Sequence, residues 1–239
     1  MDEIFEYLEK ADKPCLVAID EFQQILRYEH NNIEELLRGK IQKMSNTHFI
    51  FAGSERRLMS EMFNSEKRPF YQSATTIELG PIDIDVYCDF AVKQFSSHGK
   101  TVSREGVMAI YQKFEGITSH VHRVLHDAYA ATAVGEICSE NDLETASAAY
   151  LQECSSRLKE LVGNISEQQK ELLYAICEEN NAERITSSAF VKKHRLKSAS
   201  SVQSAAKGLI SAGLVTKAGN TYSISDPLMR IWVESRQGN

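Results

Sequence analysis

One short run limits what this chain can fold into more than any other. Cys15–Ile19 is wholly apolar, and it stops abruptly at Asp20-Glu21. Such a run is typical of a strand that is covered on both faces, as in a parallel sheet. The last residues of such a strand lie at the carboxyl edge of the sheet, where α/β proteins bind their ligands. We therefore expect an α/β protein with two carboxylates at that edge.

The segments that follow alternate between helix and strand patterns. Apolar residues at three- and four-residue spacings predict a helix between residues 22 and 44, and His48–Ala52 predicts a second buried strand. A helix over Arg57–Phe63 and a third strand over Thr75–Leu79 continue the series. Because this alternation builds parallel sheets, residues 1–81 are predicted to form an α/β core.

The rest of the chain predicts two further domains. From Asp83 the pattern is entirely helical, which indicates a helical subdomain over residues 82–162. Ser166 and Gln169 then form a capping box that opens a new helix. This helix is the first of three, and a hairpin over Leu214–Ile224 follows them. Three helices and a hairpin are the order of a winged helix-turn-helix, here over residues 163–239.

Charge is distributed unevenly along the 239 residues. The net charge is −6, yet residues 163–239 carry 10 lysines and arginines against 7 acids, a net charge of +3. Residues 1–162 therefore carry −9, and the two ends are expected to meet different partners.

The sequence argues against a membrane-spanning protein and against a secreted one. No apolar run approaches the roughly 18 residues of a membrane span, and the acidic start, Met1–Glu6, does not resemble a signal peptide. The five cysteines form no C-x-x-C pair, so we expect reduced thiols in a cytoplasmic protein that does not bind a membrane.

The run Leu16–Ile19 followed by Asp20-Glu21 has the pattern of a Walker B element. In this interpretation Asp20 binds Mg²⁺ and Glu21 orients and deprotonates the attacking water. The alternative is that Asp20 only caps the following helix. Ser54 ends the second predicted strand, where a sensor side chain would contact the γ-phosphate of ATP, and its alternative role is also that of a cap.

A phosphate-binding loop is not found in the sequence. Such a loop has the pattern G-x-x-x-x-G-K-[ST], and Gly99-Lys100-Thr101 is its only partial match. The first glycine of the motif is replaced by Gln94, and the segment follows a helix, so we interpret it as a linker. We expect a chain that lacks its phosphate cradle, through truncation or as a natural remnant, and a sheet that is incomplete.

Four stretches together resemble the archaeal-type P-loop ATPases, a branch of the AAA+/STAND ATPases. They are Leu16–Gln23, Phe49–Ser54, Arg68–Tyr71 and Tyr222–Trp232. The resemblance runs from about residue 10 to 235. It implies a partial P-loop NTPase core, a helical lid and a winged helix, without the Walker A half.

The resemblance also implies roles for individual residues. Asp20 is the metal residue, Glu21 the catalytic acid and Ser54 the sensor, with ATP and Mg²⁺ as cofactors of the intact form. Arg123 follows the lid segment Phe114–His120 and would contact the nucleotide. That segment departs from the family because Thr118 replaces a proline and His120 a tyrosine, and a solvated helix start is the alternative. Gln72-Ser73 likewise stands where the family often has Gly-Arg.

The winged helix supplies a second candidate interface. Small polar and basic side chains near its presumed recognition helix suit phosphate contacts of DNA. The candidate DNA-binding residues are Lys192, Lys193, Lys197, Ser201, Gln203 and Lys207.

Three functions follow from these observations. The first is the C-terminal part of an ATP-binding ATPase that acts as a nucleotide-dependent switch and is inactive alone because its P-loop is absent. The second is a DNA-binding regulator with a vestigial ATPase core. The third is a protein-interaction module, whose winged helix docks on the nucleotide-binding fold or on another subunit of an oligomer.

Overall fold

A computed structural model describes residues 2–28 and 32–237 of the protein. The chain forms two compact units, Met1–Leu79 and Gly80–Asn239. Each unit has a hydrophobic core of its own. The predicted boundary between helical subdomain and winged helix, at residues 162/163, stays a prediction and falls within a continuous helix.

The first unit is built around two parallel strands. Its elements are helix α1 (Asp2–Glu9), strand β1 (Cys15–Ile19), a 3₁₀ helix (Phe22–Arg27), α2 (Ile33–Ile41), β2 (Thr47–Phe51) and α3 (Arg56–Asn64). The register of β1 and β2 pairs Cys15 with Thr47 and Ile19 with Phe51. Both predicted strands are thus confirmed. The predicted helix over residues 22–44 is divided between the 3₁₀ helix and α2, and residues 29–31 lie outside the described part of the chain.

An aromatic cluster forms the core beneath this sheet. Phe22 contacts Phe51 at a centroid distance of 4.3 Å and meets Phe70 edge-on at 5.2 Å. Phe63 packs against the same rings. The Arg68–Tyr71 stretch therefore contributes a core residue directly below the loop that follows β1.

The sheet is covered on one face only, which corrects the expectation of two covered faces. Burial alternates along both strands, and Leu16 and Ile50 are 68% and 50% exposed. Because neighbouring side chains of a strand point to opposite faces, one face packs on the aromatic cluster and the other meets solvent.

The predicted third strand is wrong. Residues 75–79 have no regular secondary structure, and Ile77 and Leu79 are 80% and 86% exposed. A strand is stable where a neighbouring strand pairs with its backbone hydrogen-bonding groups. None of the described strands pairs with this segment. The expected incomplete sheet is thus present in the described residues, as two strands.

The second unit begins with a bundle of four helices. Its elements are α4 (Ile84–Ser97), β3 (Thr101–Val102), α5 (Arg104–Lys113), α6 (Thr118–Ala131), β4 (Ile137–Cys138) and α7 (Glu140–Gly163). The four helices confirm the helical pattern predicted from Asp83 onward. The short parallel pair β3–β4, which the sequence analysis missed, ties the loops between them together.

A winged helix-turn-helix follows in the same unit. Its elements are α8 (Glu167–Glu179), β5 (Ala182–Glu183), α9 (Ser188–Lys193), α10 (Ala199–Ser211), β6 (Val215–Ala218), β7 (Thr221–Ile224) and α11 (Pro227–Gln237). The strands form one antiparallel sheet in the order β5-β7-β6. The capping box of Ser166 and Gln169 is confirmed at the start of α8.

Two further observations concern the described residues. None of their helices combines the length and apolar character needed to cross a membrane. All five cysteines are free thiols.

Candidate functional site

The carboxyl ends of β1 and β2 are joined by two backbone hydrogen bonds beyond the strands themselves. Ala52 N–H donates to the Ile19 carbonyl at 2.9 Å, and Phe22 N–H donates to the Ala52 carbonyl at 2.9 Å. These bonds hold the loops that follow the two strands side by side. Residues 20–23 and 53–54 therefore form one edge of the sheet.

The structure brings Glu21 and Ser54 into direct contact at this edge. Ser54 Oγ donates to Glu21 Oε2 at 2.9 Å, although the two residues are 33 positions apart in sequence. Glu21 N–H donates to Asp20 Oδ1 at 2.8 Å. This is not a helix cap, because Glu21 is the N-cap residue of the following 3₁₀ helix and no side chain caps that helix. All three side chains are exposed, so the edge is open to a ligand.

The residues present suit a Mg²⁺ ion that is shared with a nucleotide. Mg²⁺ is usually held by one or two carboxylates together with substrate phosphates and water. Asp20 provides one exposed carboxylate, of which one oxygen accepts the Glu21 N–H. No group of three or more metal-ligating side chains occurs within residues 2–28 and 32–237, so a site closed by protein ligands alone is not formed there.

Gln23 is a site residue that the sequence analysis did not single out. Its side chain is fully buried, and its amide Nε2 donates to the same Glu21 oxygen that Ser54 contacts. The sequence offered only its place in the Leu16–Gln23 stretch as a signal, because a glutamine near a strand end is ordinarily solvated.

Two arginines of the first unit are already engaged. Arg56 donates from Nη2 to the Leu79 carbonyl at 3.2 Å. Arg68 forms ion pairs with Glu34, at 3.3 Å, and with Glu61. Burial raises the pKa of the Glu34 carboxyl, and Arg68 partly offsets this.

Arg123 lies on α6 in the second unit and is bound to two carboxylates. Its Nε donates to Asp127 at 2.8 Å and its Nη2 to Glu153 at 2.7 Å. Both ion pairs would have to open before this guanidinium could bind a phosphate. His120, three residues earlier, is buried, so the alternative of a solvated helix start does not describe it.

Lys100, in the rejected G-K-T segment, binds within the bundle. Its ammonium donates to the Tyr129 carbonyl at 2.7 Å and lies 3.8 Å from the centre of the Tyr129 ring. This lysine is held by backbone and aromatic contacts in the loop between α4 and α5, which agrees with its interpretation as part of a linker.

Two of the six candidate DNA-binding residues have partners within the winged helix. Lys193 pairs with Glu179 at 2.5 Å, and Ser201 Oγ donates to Gln168 Oε1 at 2.9 Å. The hydrogen bond from Lys193 lowers the pKa of Glu179, so that carboxylate stays charged. Lys197 and Lys207 form no ion pair with any residue that the structure describes.

Two surface cavities of about 410 Å³ each flank the helix-turn-helix. Lys192 lines the first together with Arg195. Gln203 lines the second together with Arg184 and Lys217, two basic residues that the sequence analysis did not select. The residues brought together here come from α9 and the loops on either side of it, from α10 and from the β6–β7 hairpin.

Comparison with known proteins supports this description of the fold. A family model described as a probable winged helix domain matches residues 156–235. The solved structure of the Walker-type ATPase of Pyrococcus abyssi matches with a TM-score of 0.65 and 19% identity, over 92% of this chain and 63% of that one. This chain thus spans less than two thirds of that protein's length.

A second solved structure and a search of curated proteins add little. The ORC2 protein of Aeropyrum pernix, in ADPNP and ADP complexes, matches 99% of this chain and 69% of that one, with 15% identity and a TM-score of 0.48. That score is too low to support an argument. No curated protein matches the sequence significantly. The comparisons therefore show the fold: this chain shares the fold of the matching part of an archaeal Walker-type ATPase, and residues 156–235 match a winged-helix domain.

Proposed function

We propose that these 239 residues supply one half of a Mg²⁺–ATP site and act within a nucleotide-dependent switch. The observation that carries the proposal is the hydrogen bond between Ser54 and Glu21 at the joined ends of β1 and β2. It unites the two predicted motifs at the carboxyl edge of a parallel sheet, where α/β proteins bind ligands.

Each side chain at this edge has a separate task in the proposed reaction. Asp20 would hold Mg²⁺, which neutralises phosphate charge when bound. Glu21 would accept a proton from the attacking water and orient it. Ser54 donates its one hydroxyl hydrogen to Glu21, and as a sensor it would exchange this hydrogen bond for one to a phosphate oxygen.

The remaining contacts to ATP would come from outside these residues. The sequence contains no G-x-x-x-x-G-K-[ST] segment, whose backbone N–H groups and lysine would surround the phosphates. Arg123 remains a proposed nucleotide contact, conditional on release from Asp127 and Glu153. We therefore propose that the chain by itself does not hydrolyse ATP.

An ATP hydrolysis assay on the purified chain tests the proposal that the chain is inactive by itself. With Mg²⁺ and ATP, phosphate release is expected to stay at the level of the buffer, with Glu21→Gln measured alongside as a matched control. Mg²⁺-dependent release that Glu21→Gln abolishes would contradict this proposal, because the pocket would then be complete within these residues.

A basic surface favours nucleic-acid binding as a second candidate function. Residues 180–223 contain seven lysines and arginines and one acid. Four of the basic residues, Arg184, Lys192, Arg195 and Lys217, line the two cavities beside α9 and α10. We propose that this surface contacts DNA phosphates and that Gln203 reaches a groove.

Salt dependence of duplex DNA binding tests the second function. Binding that weakens steeply with salt is expected, because lysines displace counterions from phosphates. The pair Lys192→Glu and Lys197→Glu should abolish it. The pair Lys93→Glu and Lys159→Glu, which changes the net charge equally on exposed bundle residues, should not. Absence of binding at low salt would reject this function. The third function, that of a protein-interaction module, would then remain for the winged helix.

A further inference from the structure

Gln23 combines complete burial with an incomplete set of hydrogen bonds. Its side chain is 0% exposed, and its Nε2 donates to Glu21 Oε2. Its amide oxygen accepts no hydrogen bond from any described residue. A buried polar group without a partner is uncommon in native proteins and is often retained for a functional reason. Simple packing therefore does not account for a glutamine at this position.

Glu21 has an unusual backbone conformation, and its side chain is held by two donors. Its φ of 48° and ψ of 40° place it in the left-handed region, which residues other than glycine rarely adopt. Here the carboxylate receives two donors on one oxygen, the Gln23 amide and the Ser54 hydroxyl. Oε1 accepts no hydrogen bond from the residues that the structure describes.

Gly53 makes the approach of Gln23 possible. A Cβ at residue 53 would overlap the Gln23 amide oxygen and lie 2.6 Å from Met59 Sδ. Because such distances are shorter than real Cβ contacts, only glycine fits without displacing a neighbour. The Asp20–Gln23 and Gly53-Ser54 segments therefore pack closely against each other.

We propose that Gln23 is the positioning residue for Glu21. Together with Ser54 it fixes Oε2, so that Oε1 is presented to the attacking water at the open edge of the sheet. This inference rests on the proposed function, because it assigns a purpose to the orientation of Glu21. A positioning role differs from a purely structural one. If Gln23 only filled space, methionine would fill a similar volume without leaving a buried acceptor unpaired.

The carboxyl signal of Glu21 provides a direct test in the chain as it exists. Glutamate labelled with ¹³C at the carboxyl carbon reports this group by NMR, and its loss in Glu21→Gln assigns the signal. In Gln23→Met the signal is expected to move toward the positions of solvent-exposed glutamates, while the melting temperature stays equal or rises. The control Gln24→Met, on the same 3₁₀ helix, should leave the signal in place.

The outcomes separate this inference from the proposed function. An unchanged Glu21 signal in a folded Gln23→Met chain would overturn the positioning role. A moved signal accompanied by a lowered melting temperature would also overturn it, because Gln23 would then be needed for packing. The proposed function is tested separately, by adding Mn²⁺ to the chain and following the broadening of NMR signals near Asp20. Absence of this broadening would overturn the proposed function, whereas the Glu21 signal would still report whether Gln23 fixes the carboxylate.

Discussion

At the scale of single residues, His120 shows how a polar side chain is used within the second unit. Its ring contacts the Tyr150 hydroxyl at 2.8 Å and Asp226 Oδ1 at 3.0 Å. Burial alone would raise the pKa of Asp226, but hydrogen bonds from His120 and from the Leu228 N–H outweigh it and hold the pKa below its ordinary value near 3.8. Asp226 is therefore charged at neutral pH and caps α11.

This pKa shift makes the contribution of Asp226 dependent on pH. A carboxyl with a depressed folded-state pKa stabilises the fold above its unfolded value and loses this contribution as pH falls through the folded pKa. We expect Asp226→Asn to lower the free energy of unfolding at pH 7 by about 1 kcal/mol, an amount reduced by partial exposure. Urea unfolding between pH 7 and pH 3 should show the difference from wild type shrinking below about pH 3.8. A difference that is constant with pH would contradict this assignment.

At the scale of elements, the parallel pair β1–β2 separates a packed face from an open one. Leu16 and Ile50 are largely exposed, whereas Phe51 lies against Phe22 on the packed face. Burial of apolar area therefore stabilises only one side of the sheet. The other face of the sheet is open to solvent.

Matched substitutions on neighbouring strand positions test this asymmetry. Leu16→Thr and Ile50→Thr should change the free energy of unfolding by less than about 0.5 kcal/mol, the usual range for exposed sites. Phe51→Ala should cost roughly 2–5 kcal/mol, because it empties part of the aromatic cluster. Equal losses on both faces, measured by urea unfolding, would show that Leu16 and Ile50 are packed after all.

The sheet also shows how far the sequence alone could lead. The apolar run Cys15–Ile19 predicted a strand correctly, since that depends on local composition. It could not predict the open face, because whether a second layer covers the strand depends on residues distant in sequence or on another molecule. Thr75–Leu79 has strand-forming residues, but none of the described strands pairs with it, so its local sequence preference did not predict its structure.

The candidate site follows the same rule. The proximity of Glu21 and Ser54 could be predicted because they follow two apolar strands, and the carboxyl ends of neighbouring parallel strands lie at the same edge. Gln23 could not be predicted, since its role depends on the left-handed conformation of Glu21 and on Gly53 beside it. His120 was missed as a buried bridge because its partner Asp226 lies 106 residues later.

At the scale of the whole molecule, the chain is divided into two units with separate cores. The second unit unites the bundle and the winged helix through side chains of α11. Trp232 Nε1 donates to Ser155 Oγ at 3.0 Å, and Arg230 pairs with Glu115 at 2.9 Å. The winged helix is thus packed on the helical bundle within its own unit.

This division predicts that residues 80–239 fold without the first unit. Limited proteolysis should cut within residues 74–83, which have no regular secondary structure and are mostly exposed. The isolated 80–239 fragment should keep its helical circular dichroism and a cooperative thermal transition. A fragment that is unfolded in isolation would show that the two cores depend on each other.

Asp20, Glu21 and Ser54 are proposed to form half of a metal–nucleotide site, and titration with Mn²⁺ tests whether a metal ion binds there. Mn²⁺ prefers oxygen ligands as Mg²⁺ does, and it broadens the NMR signals of nearby nuclei. On titration of the purified chain, we predict broadening centred on the amide signals of residues 20, 21 and 54. Asp20→Asn should abolish it, and the exposed control Asp12→Asn should not. Broadening elsewhere, or broadening that survives Asp20→Asn, would contradict the claim.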